Sequence, residues 1–376
     1  MAGIYIHIPF CKKICYYCDF YKTRQTDLFP GFLTALYQEI EQKKDYLNGE
    51  SVDTIYFGGG TPSLLSGGEI TRIILKIKKH FLIKENVEIT VEANPEDLTD
   101  DYIKTLYQTG INRLSIGCQS FRDVHLMSLN RRHNAKQARN AVENAFREGF
   151  ENISIDLIYG LPELGLKEWK ENLKIALKLP ITHFSAYHLT IEKNTVYFKW
   201  QQKGKIRLPE EEESLKQYRI LLEMAEQERF DHYEISNFCK MEKYSRHNML
   251  YWNQEKYLGL GPSAHSYDGF SRQWNGSNIK KYIQGVLQKR KYSEKEKLNT
   301  KTKFNEYLMT RLRTKWGISQ EEIQALFGLL YYKKIKGYVL TGLKTGNMEI
   351  YGERIRLTEG GMFLSDHIIS ELFITD

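Results

Sequence analysis

Short apolar runs and amphipathic stretches alternate along the first two-thirds of the chain. The apolar runs predict buried strands at 3–8, 53–57, 87–93, 112–118, 152–160 and 183–189. Apolar positions three or four residues apart predict helices at 29–47, around 67–80, near 99–109, at 133–148 and around 166–178, and a long polar helix follows Pro209. Six strand–helix units in series indicate parallel strands joined by right-handed crossovers, which is an α/β fold.

This alternation stops after about Tyr233. The segment YEISNF could form one more strand, and the stretch from Cys239 to Trp274 is rich in aromatic residues and glycine and is predicted to be irregular. From Lys301 the pattern indicates a helical region, two short strand-like segments and a last helix, which is typical of a small winged-helix-like module. We therefore predict two domains, 1–235 and 236–376.

Composition narrows the class of protein. The formal net charge of 376 residues is 54 − 47 = +7, with 27% charged residues, which indicates a folded chain and does not require a nucleic-acid partner. An integral membrane segment needs roughly 20 apolar residues, and we find no such run. The apolar N-terminus has no preceding basic residue, unlike a secretory signal.

Five cysteines, three of them crowded together, favour a reducing, cytoplasmic compartment. A homodimer is compatible with these features.

A cysteine-rich loop follows the first predicted strand. Cys11, Cys15 and Cys18 have the spacing CxxxCxxC, and three thiolates can ligate three corners of an iron–sulfur cube and leave one iron open. A zinc site completed by His7 or Asp19 is an alternative, although structural zinc usually has four ligands and a second pair of cysteines. Unligated thiols are a third interpretation. The spacing favours the cluster and leaves the other two open.

Glycines and polar residues follow the next strands. The Gly58–Thr61 turn ends the second strand, and three glycines allow a backbone to approach a ligand closely. Glu92, Gln119 and Asp156 lie near the ends of the third, fourth and fifth strands. In barrels of parallel strands the carboxyl ends form the rim on which sites are built. The sequence thus predicts a binding site at this rim. The alternative is that these are ordinary polar residues of the barrel rim that hydrogen-bond to one another.

Taken together, these motifs resemble the radical S-adenosyl-L-methionine (SAM) superfamily. Within it, the segments IYIHIPFC, YFGGGTPS, VEANPE, LSIGCQSF, LNRRH and IDLIYGLP are similar to the oxygen-independent coproporphyrinogen III oxidase group. The segments HFSAYHLTIEKNT, YEISNF and RHNMLYWNQEKYLGLGPSAHSY resemble its haem-chaperone branch more closely. Phe20 stands where the oxidases as a group carry a fourth cysteine, so the oxidase pattern fails there.

The resemblance implies a fold and a function. The fold is a partial (β/α)6 TIM-like radical SAM barrel with a smaller C-terminal helical and winged-helix-like domain. The function is binding of haem and its delivery to haem-requiring apoproteins, such as respiratory enzymes. A coproporphyrinogen III oxidase is the nearest alternative, and a radical SAM enzyme that modifies RNA is a more distant one. Whether SAM is cleaved or only bound stays open.

The resemblance also implies roles for individual residues. Cys11, Cys15 and Cys18 would ligate a [4Fe-4S] cluster. Residues that resemble those holding the cluster-bound SAM are Tyr5, Gly59, Gly60, Thr61 and Glu92. Positions that contact SAM molecules in the oxidases, including a second one, are matched here by Tyr17, Gln119, Arg131 and Asp156.

The segment 247–252, which reads HNMLYW, is typical of the haem-chaperone branch. The resemblance implies that His247 is an axial ligand to haem iron, with Tyr251 and Trp252 as an apolar wall and Arg246 as a partner for a propionate. The alternative is that His247 and Asn248 cap or bridge loops. Other candidates for the iron ligand are His188, His265 and Cys239.

Overall fold

Six parallel strands form the centre of a twelve-stranded sheet in the computed structural model, which describes residues 1–375. They lie side by side in chain order: β1 Ala2–Ile8, β2 Val52–Gly59, β3 Ile83–Ala93, β4 Arg113–Gln119, β5 Ile153–Tyr159 and β6 His183–His188. Every neighbouring pair among them is parallel. This arrangement confirms the predicted partial (β/α)6 barrel.

Helices connect these strands. Their bounds are α1 Phe29–Gln42, α2 Gly67–His80, α3 Asp100–Gln108, α4 Asp123–Ser128, α5 Ala135–Glu148 and α6 Leu166–Lys178, followed by α7 Val196–Gln202 and α8 Glu211–Gln227. Helix α2 begins with a capping box, in which the Ser66 side chain accepts from the backbone N–H of Glu69 and the Glu69 side chain accepts in return. Helix α1 ends at Gln42 instead of residue 47, because a polar run leads into a turn at Asn48 and Gly49, both with positive φ.

Alternate residues of the six strands have different surroundings. On β1, Ile4, Ile6 and Ile8 are completely buried in the hydrophobic core. The alternating set on the other strands, which includes Tyr56 and Asp156, lines a cavity inside the barrel. The barrel interior is therefore a polar cavity, while the apolar core lies between the sheet and its helices.

The large sheet continues on both sides of the barrel strands. Beside β6 lie the antiparallel strands β8 Asn237–Cys239 and β7 Asp231–Glu234. Beside β1 lies the parallel strand β9 Lys256–Leu260, followed by the antiparallel strands β10 His265–Tyr267, β11 Ser271–Asn275 and β12 Ser293–Lys297. The predicted boundary at 235/236 falls between β7 and β8, and the sheet extends to Lys297. The division into two domains stays a prediction.

The segment between Cys239 and Trp274 is regular, so the prediction of an irregular stretch was wrong. It contains helix α9 Arg246–Trp252 as well as strands β9, β10 and most of β11. Gly259 permits the tight packing of β9 and β10, because a Cβ atom there would lie 2.1 Å from the carbonyl oxygen of His265. The glycines of this segment therefore belong to strands and their turns.

The C-terminal region contains a second, three-stranded sheet. Helix α10 Ile279–Leu287 precedes β12, and the next elements are α11 Thr300–Arg311, β13 Ile318–Ser319, α12 Gln320–Phe327, α13 Leu329–Lys344, β14 Met348–Tyr351, β15 Arg354–Leu357, α14 Glu359–Phe363 and α15 Ser365–Glu371. The antiparallel sheet has the order β13-β15-β14. A helix, a strand, two helices and a two-stranded hairpin in sequence form the predicted winged-helix-like arrangement. No helix within residues 1–375 is long and apolar enough to cross a membrane.

Candidate functional site

A cavity of about 400 Å³ runs through the interior of the barrel. It opens at the carboxyl ends of the strands, where the cysteine loop follows β1. The predicted site residues that line it are Cys11, Cys15, Tyr17, Cys18, Gly59, Gly60, Thr61, Glu92, Gln119, Arg131 and Asp156. The structure therefore brings together the residues predicted for the cluster and for SAM, with the exceptions of Tyr5 and His247.

Backbone hydrogen bonds close the base of the cysteine loop. The N–H of Cys11 donates to the carbonyl of Thr23 (2.9 Å), and the N–H of Thr23 donates to the carbonyl of Pro9 (2.7 Å). The Thr61 hydroxyl donates to Cys11 Sγ (3.3 Å), and Arg131 Nη1 donates to Cys15 Sγ (3.4 Å). Two of the three sulfur atoms thus already accept hydrogen bonds from the cavity wall.

The three thiols also interact with one another. Burial raises the pKa of Cys11 and of Cys18, and the neighbouring thiols raise the pKa of Cys11 further. Within residues 1–375, no three His, Cys, Asp or Glu side chains converge as ligands of one metal ion. An iron–sulfur cube spreads its thiolates over separate corners. Three cysteines on one loop, with hydrogen-bond donors to two sulfurs, fit such a cluster, and its binding would release their protons.

The glycine turn after β2 packs directly against the cysteine loop. Gly59 has φ = +109°, and a Cβ atom there would lie 2.6 Å from the His7 ring. A Cβ atom at Gly60 would lie 2.8 Å from the backbone oxygen of Phe10. Both positions therefore require glycine, and the resulting turn exposes its backbone to the cavity.

Two carboxyl groups face the cavity from β3 and β5. Glu92 accepts hydrogen bonds from the Tyr56 hydroxyl (2.9 Å) and from the N–H of Gly59 (3.1 Å). Burial raises the pKa of Glu92 to about 7, and the charge of Asp156 contributes to the increase. Burial also raises the pKa of Asp156 to about 6. A bound cation would favour the ionised form of both groups.

A guanidinium group lies between the cysteine loop and β4. Arg131 Nη2 donates to Asn94 Oδ1 (2.6 Å) and to the carbonyl of Gly117 (2.8 Å). Its buried Nε atom has no partner among the described residues. Near it, Gln119 adopts φ = +64°, a backbone conformation that is uncommon for residues other than glycine. Arg131 thus joins the cysteine loop to the end of β3 and to β4 through its hydrogen bonds.

Several residues that line the cavity were not predicted from the sequence. These are Tyr56, Asn94, Arg113, His183 and Tyr187, among others. Arg113 is 1% exposed although it is charged. The two-residue alternation within each predicted strand could have identified the strand residues among them, because one face of each strand carries the polar side chains.

The two predicted site residues that do not line the cavity lie close to each other. Tyr5 stacks on Tyr56, with 6.0 Å between ring centroids, and on His247, with 6.2 Å. His247 is 1% exposed, and its ring nitrogens are hydrogen-bonded to Thr54 (Nδ1, 2.7 Å) and to Tyr251 (Nε2, 2.9 Å). The His247 ring therefore has no nitrogen without a partner.

Helix α9 holds His247 near the amino ends of β1 and β2. A Cβ atom at Gly3 would lie 2.4 Å from Leu250 and 3.2 Å from the His247 ring. The cysteine loop begins after Ile8, at the opposite end of β1. At about 3.3 Å per strand residue, His247 and the cysteines are separated by roughly 15 Å along the barrel. Helix α9 thus closes the end of the barrel that lies opposite the cavity mouth.

The chain is similar to several known proteins. Residues 5–176 match the family described as the radical SAM superfamily. The chain is 34% identical over 375 residues to the heme chaperone HemW of Lactococcus lactis subsp. lactis, covering 99% of this chain and 97% of the relative. It is 37% identical over 331 residues to the heme chaperone HemW of Bacillus subtilis, covering 87% of each.

Among solved structures, the chain is similar to coproporphyrinogen III oxidase (HemN) from Escherichia coli, described as a radical SAM enzyme. The TM-score is 0.85, with 23% identity, and the match covers 99% of this chain and 90% of that chain. This similarity shows a shared fold that includes the C-terminal region.

Proposed function

Because the chain belongs to the heme chaperone HemW family within the radical SAM superfamily, we propose that it binds haem and delivers it to haem-requiring apoproteins, such as respiratory enzymes. It does so as a protein that also holds a [4Fe-4S] cluster and SAM. The observation that carries this proposal is the convergence of three loop cysteines, a glycine turn and two carboxyl groups on one cavity. We place this activity in the cytoplasm, and a homodimer stays a prediction.

The residues of the cavity have distinct roles in the proposal. Cys11, Cys15 and Cys18 hold the cluster, and Thr61 and Arg131 orient the sulfur atoms through their hydrogen bonds. When bound, the cluster would supply an open iron for the amino and carboxylate groups of SAM. Glu92, fixed by Tyr56 and Gly59, is placed to accept from a ligand ammonium group.

The remaining polar residues bind the other parts of SAM. Gly60 and Thr61 bring backbone close to the ligand, and Tyr5 acts through its stacking on Tyr56. Asp156 accepts from ribose hydroxyls or from the ammonium group. Gln119 and Arg131 orient the carboxylate, and Tyr17 covers the ligand from the cysteine loop.

The haem ligand predicted from the sequence is His247, and this stays a prediction. Ligation by His247 requires that one of its hydrogen bonds, to Thr54 or to Tyr251, is broken and that helix α9 moves. The same movement would have to bring a large planar ligand to a ring that is 1% exposed.

Anaerobic reconstitution followed by titration with haem tests the proposal. We expect the full chain to contain iron and sulfide, to bind SAM, and to bind haem with defined absorption bands. Replacing Cys15→Ala should abolish the cluster and weaken SAM binding, because two thiolates hold a cube poorly. The variant Cys239→Ala, which alters a buried cysteine outside the loop, should keep both. A protein that binds no haem contradicts the proposal.

A separate assay distinguishes the nearest alternative. The reconstituted protein is incubated anaerobically with coproporphyrinogen III, SAM and a reductant. Phe20 occupies the position of the additional oxidase cysteine, so we expect no conversion. Robust formation of protoporphyrinogen would identify the protein as an oxidase instead.

A further inference from the structure

Exposed apolar side chains are concentrated on and around helix α13 of the C-terminal region. Within residues 1–375, a third of the large apolar side chains that are exposed, seven of 21, lie in the segment 326–351. Four of the seven are on α13 itself, namely Leu329, Leu330, Tyr338 and Leu340, and their exposed fractions lie between 48% and 64%. Soluble proteins rarely collect exposed apolar side chains in this way, and such a surface usually binds a partner or a membrane.

The other side of α13 holds the helix on the protein. Ile335 and Val339 are 1% and 2% exposed and belong to the hydrophobic core. A Cβ atom at Gly342, on the same side of the helix, would lie 2.7 Å from Met348 Sδ, so this side of α13 rests directly on β14. The exposed side chains therefore project from a helix that is already fixed in place.

Lysines lie between the leucines on the exposed face of α13. Leu329, Lys333, Lys336, Leu340 and Lys344 recur at intervals of three or four residues, so they form one stripe along the helix. The helix contains four lysines and no Asp or Glu. Among the residues that the structure describes, none forms an ion pair with the three lysines of the stripe. The stripe is thus both apolar and cationic, and the protein does not neutralise its charge.

A bilayer that contains anionic lipids fits this combination of side chains. Leucines of an interfacial helix enter the boundary between headgroups and acyl chains, while lysines extend their ammonium groups toward the lipid phosphates. Protein–protein interfaces are depleted in lysine, and surfaces that bind nucleic acid are polar. Neither accounts for leucine and lysine side by side. No helix within residues 1–375 can cross a membrane, so the contact is peripheral.

We propose that the exposed face of α13 binds to membranes that contain anionic phospholipids. Leu329 and Leu340 enter the interfacial region, and Lys333, Lys336 and Lys344 pair with lipid phosphates. The helix keeps its contacts with the core, so binding requires no refolding. The inference goes beyond the proposed function: it requires neither haem nor the cluster, so either proposal can fail while the other stands.

The test is co-sedimentation of the full chain with lipid vesicles. One set contains phosphatidylcholine alone, and the other contains phosphatidylcholine and phosphatidylglycerol in equal amounts. We expect binding to the mixed vesicles and at least roughly tenfold weaker binding to phosphatidylcholine alone, because each lysine near an anionic surface contributes about a fivefold factor. Added salt should weaken binding to the mixed vesicles, since it screens the lysines. Equal binding to both sets, or binding to neither, contradicts the proposal.

Variants locate the membrane contact on α13. Leu340→Ser and Lys333→Gln should each weaken binding to the mixed vesicles about fivefold. The matched controls are Leu75→Ser and Lys78→Gln, which make the same substitutions at exposed positions of helix α2. The controls should bind like the wild type, and circular dichroism should show that all four variants are folded. If the α2 variants weaken binding as much as the α13 variants, the proposed location is wrong.

A final measurement addresses nucleic acid as the occupant. If the wild type ignores both sets of vesicles but binds duplex DNA, and Lys333→Gln loses that binding, the exposed face of α13 binds nucleic acid and the proposal is wrong. We expect no binding of DNA that depends on Lys333.

Discussion

The two cavity carboxyl groups make the binding of a cationic ligand depend on pH. The pKa values of Glu92 and Asp156 are raised to about 7 and about 6, mainly by burial. A cation binds the ionised form, so binding of SAM must release the protons that these groups carry in the free protein. Affinity should therefore rise as the pH increases through this range.

We expect the affinity for SAM to fall roughly tenfold between pH 8 and pH 6, because a carboxyl group with a pKa of about 7 is about nine-tenths ionised at pH 8 and about one-tenth ionised at pH 6. Calorimetry of the reconstituted protein in two buffers of different ionisation enthalpy measures both the affinity and the number of protons released. The variant Glu92→Gln cannot ionise, so its affinity should be lower and should depend less on pH. Equal wild-type affinities at pH 6 and pH 8 would contradict this prediction.

His247 is expected to contribute to stability. Its ring is buried, stacks on Tyr56 with 5.0 Å between centroids, and bonds to Thr54 and Tyr251. His247→Ala would leave a cavity and would leave the hydroxyls of buried Thr54 and half-buried Tyr251 without this partner, which should lower the free energy of unfolding by about 2–4 kcal/mol. Denaturant unfolding measures this change. The exposed His265→Ala should alter stability by less than about 0.5 kcal/mol.

At the scale of the elements, strand β9 depends on one glycine. A Cβ atom at Gly259 would meet the backbone of His265 at 2.1 Å, so Gly259→Ala must push β9 and β10 apart. We expect a loss of about 1–3 kcal/mol. Gly337 is an exposed position in the middle of α13, and a Cβ atom added there would meet no atom within 4 Å. Gly337→Ala should therefore stabilise the protein by about 0.5–1 kcal/mol. Thermal unfolding of both variants compares the two effects, and a stabilised Gly259→Ala protein would contradict the packing described.

Elements with strong local signals could be predicted from the sequence, and those held by distant partners could not. Helices α2 and α6 have the predicted bounds, because apolar spacing marks both and a capping box marks the start of α2. Strand β9 was missed because its glycine, Gly259, weakens a local strand pattern and because its partner, β1, is about 250 residues away. Pairing between strands that are so far apart in sequence cannot be predicted from any short segment of the chain.

The same distinction applies to the candidate site. The three cysteines are neighbours in sequence, so their spacing alone indicates a cluster. The hydrogen bonds of Arg131 to Asn94 and Cys15 join residues that are 37 and 116 positions apart. Asn94 had no individual signal, and its role follows only from the register of β3 beside β4. The burial of His247 likewise required knowledge of where α9 packs.

At the scale of the whole molecule, the second half of the chain supports the first. Glu39 on α1 accepts hydrogen bonds from the N–H of Gly261 (2.8 Å), from Asn275 (2.7 Å) and from Tyr282 (2.7 Å). The Tyr21 hydroxyl of the cysteine loop accepts from the N–H of Ile279 (2.8 Å). The loop that would hold the cluster is therefore tied to segments beyond residue 255. We therefore expect that a ligand that fixes the cysteine loop also stabilises the fold of the whole chain.

This coupling leads to a prediction about ligands and stability. A ligand that binds only the folded protein stabilises it by about 2.7 kcal/mol at a hundred times its dissociation constant. Reconstituted protein should therefore unfold at a higher temperature than protein without the cluster, and SAM should raise this temperature further. In Cys15→Ala neither addition should have an effect, whereas Cys239→Ala should respond like the wild type. Anaerobic differential scanning fluorimetry of the three proteins, each without the cluster, after reconstitution and with added SAM, measures these changes. An equal response of Cys15→Ala would show that SAM binds independently of the loop cysteines.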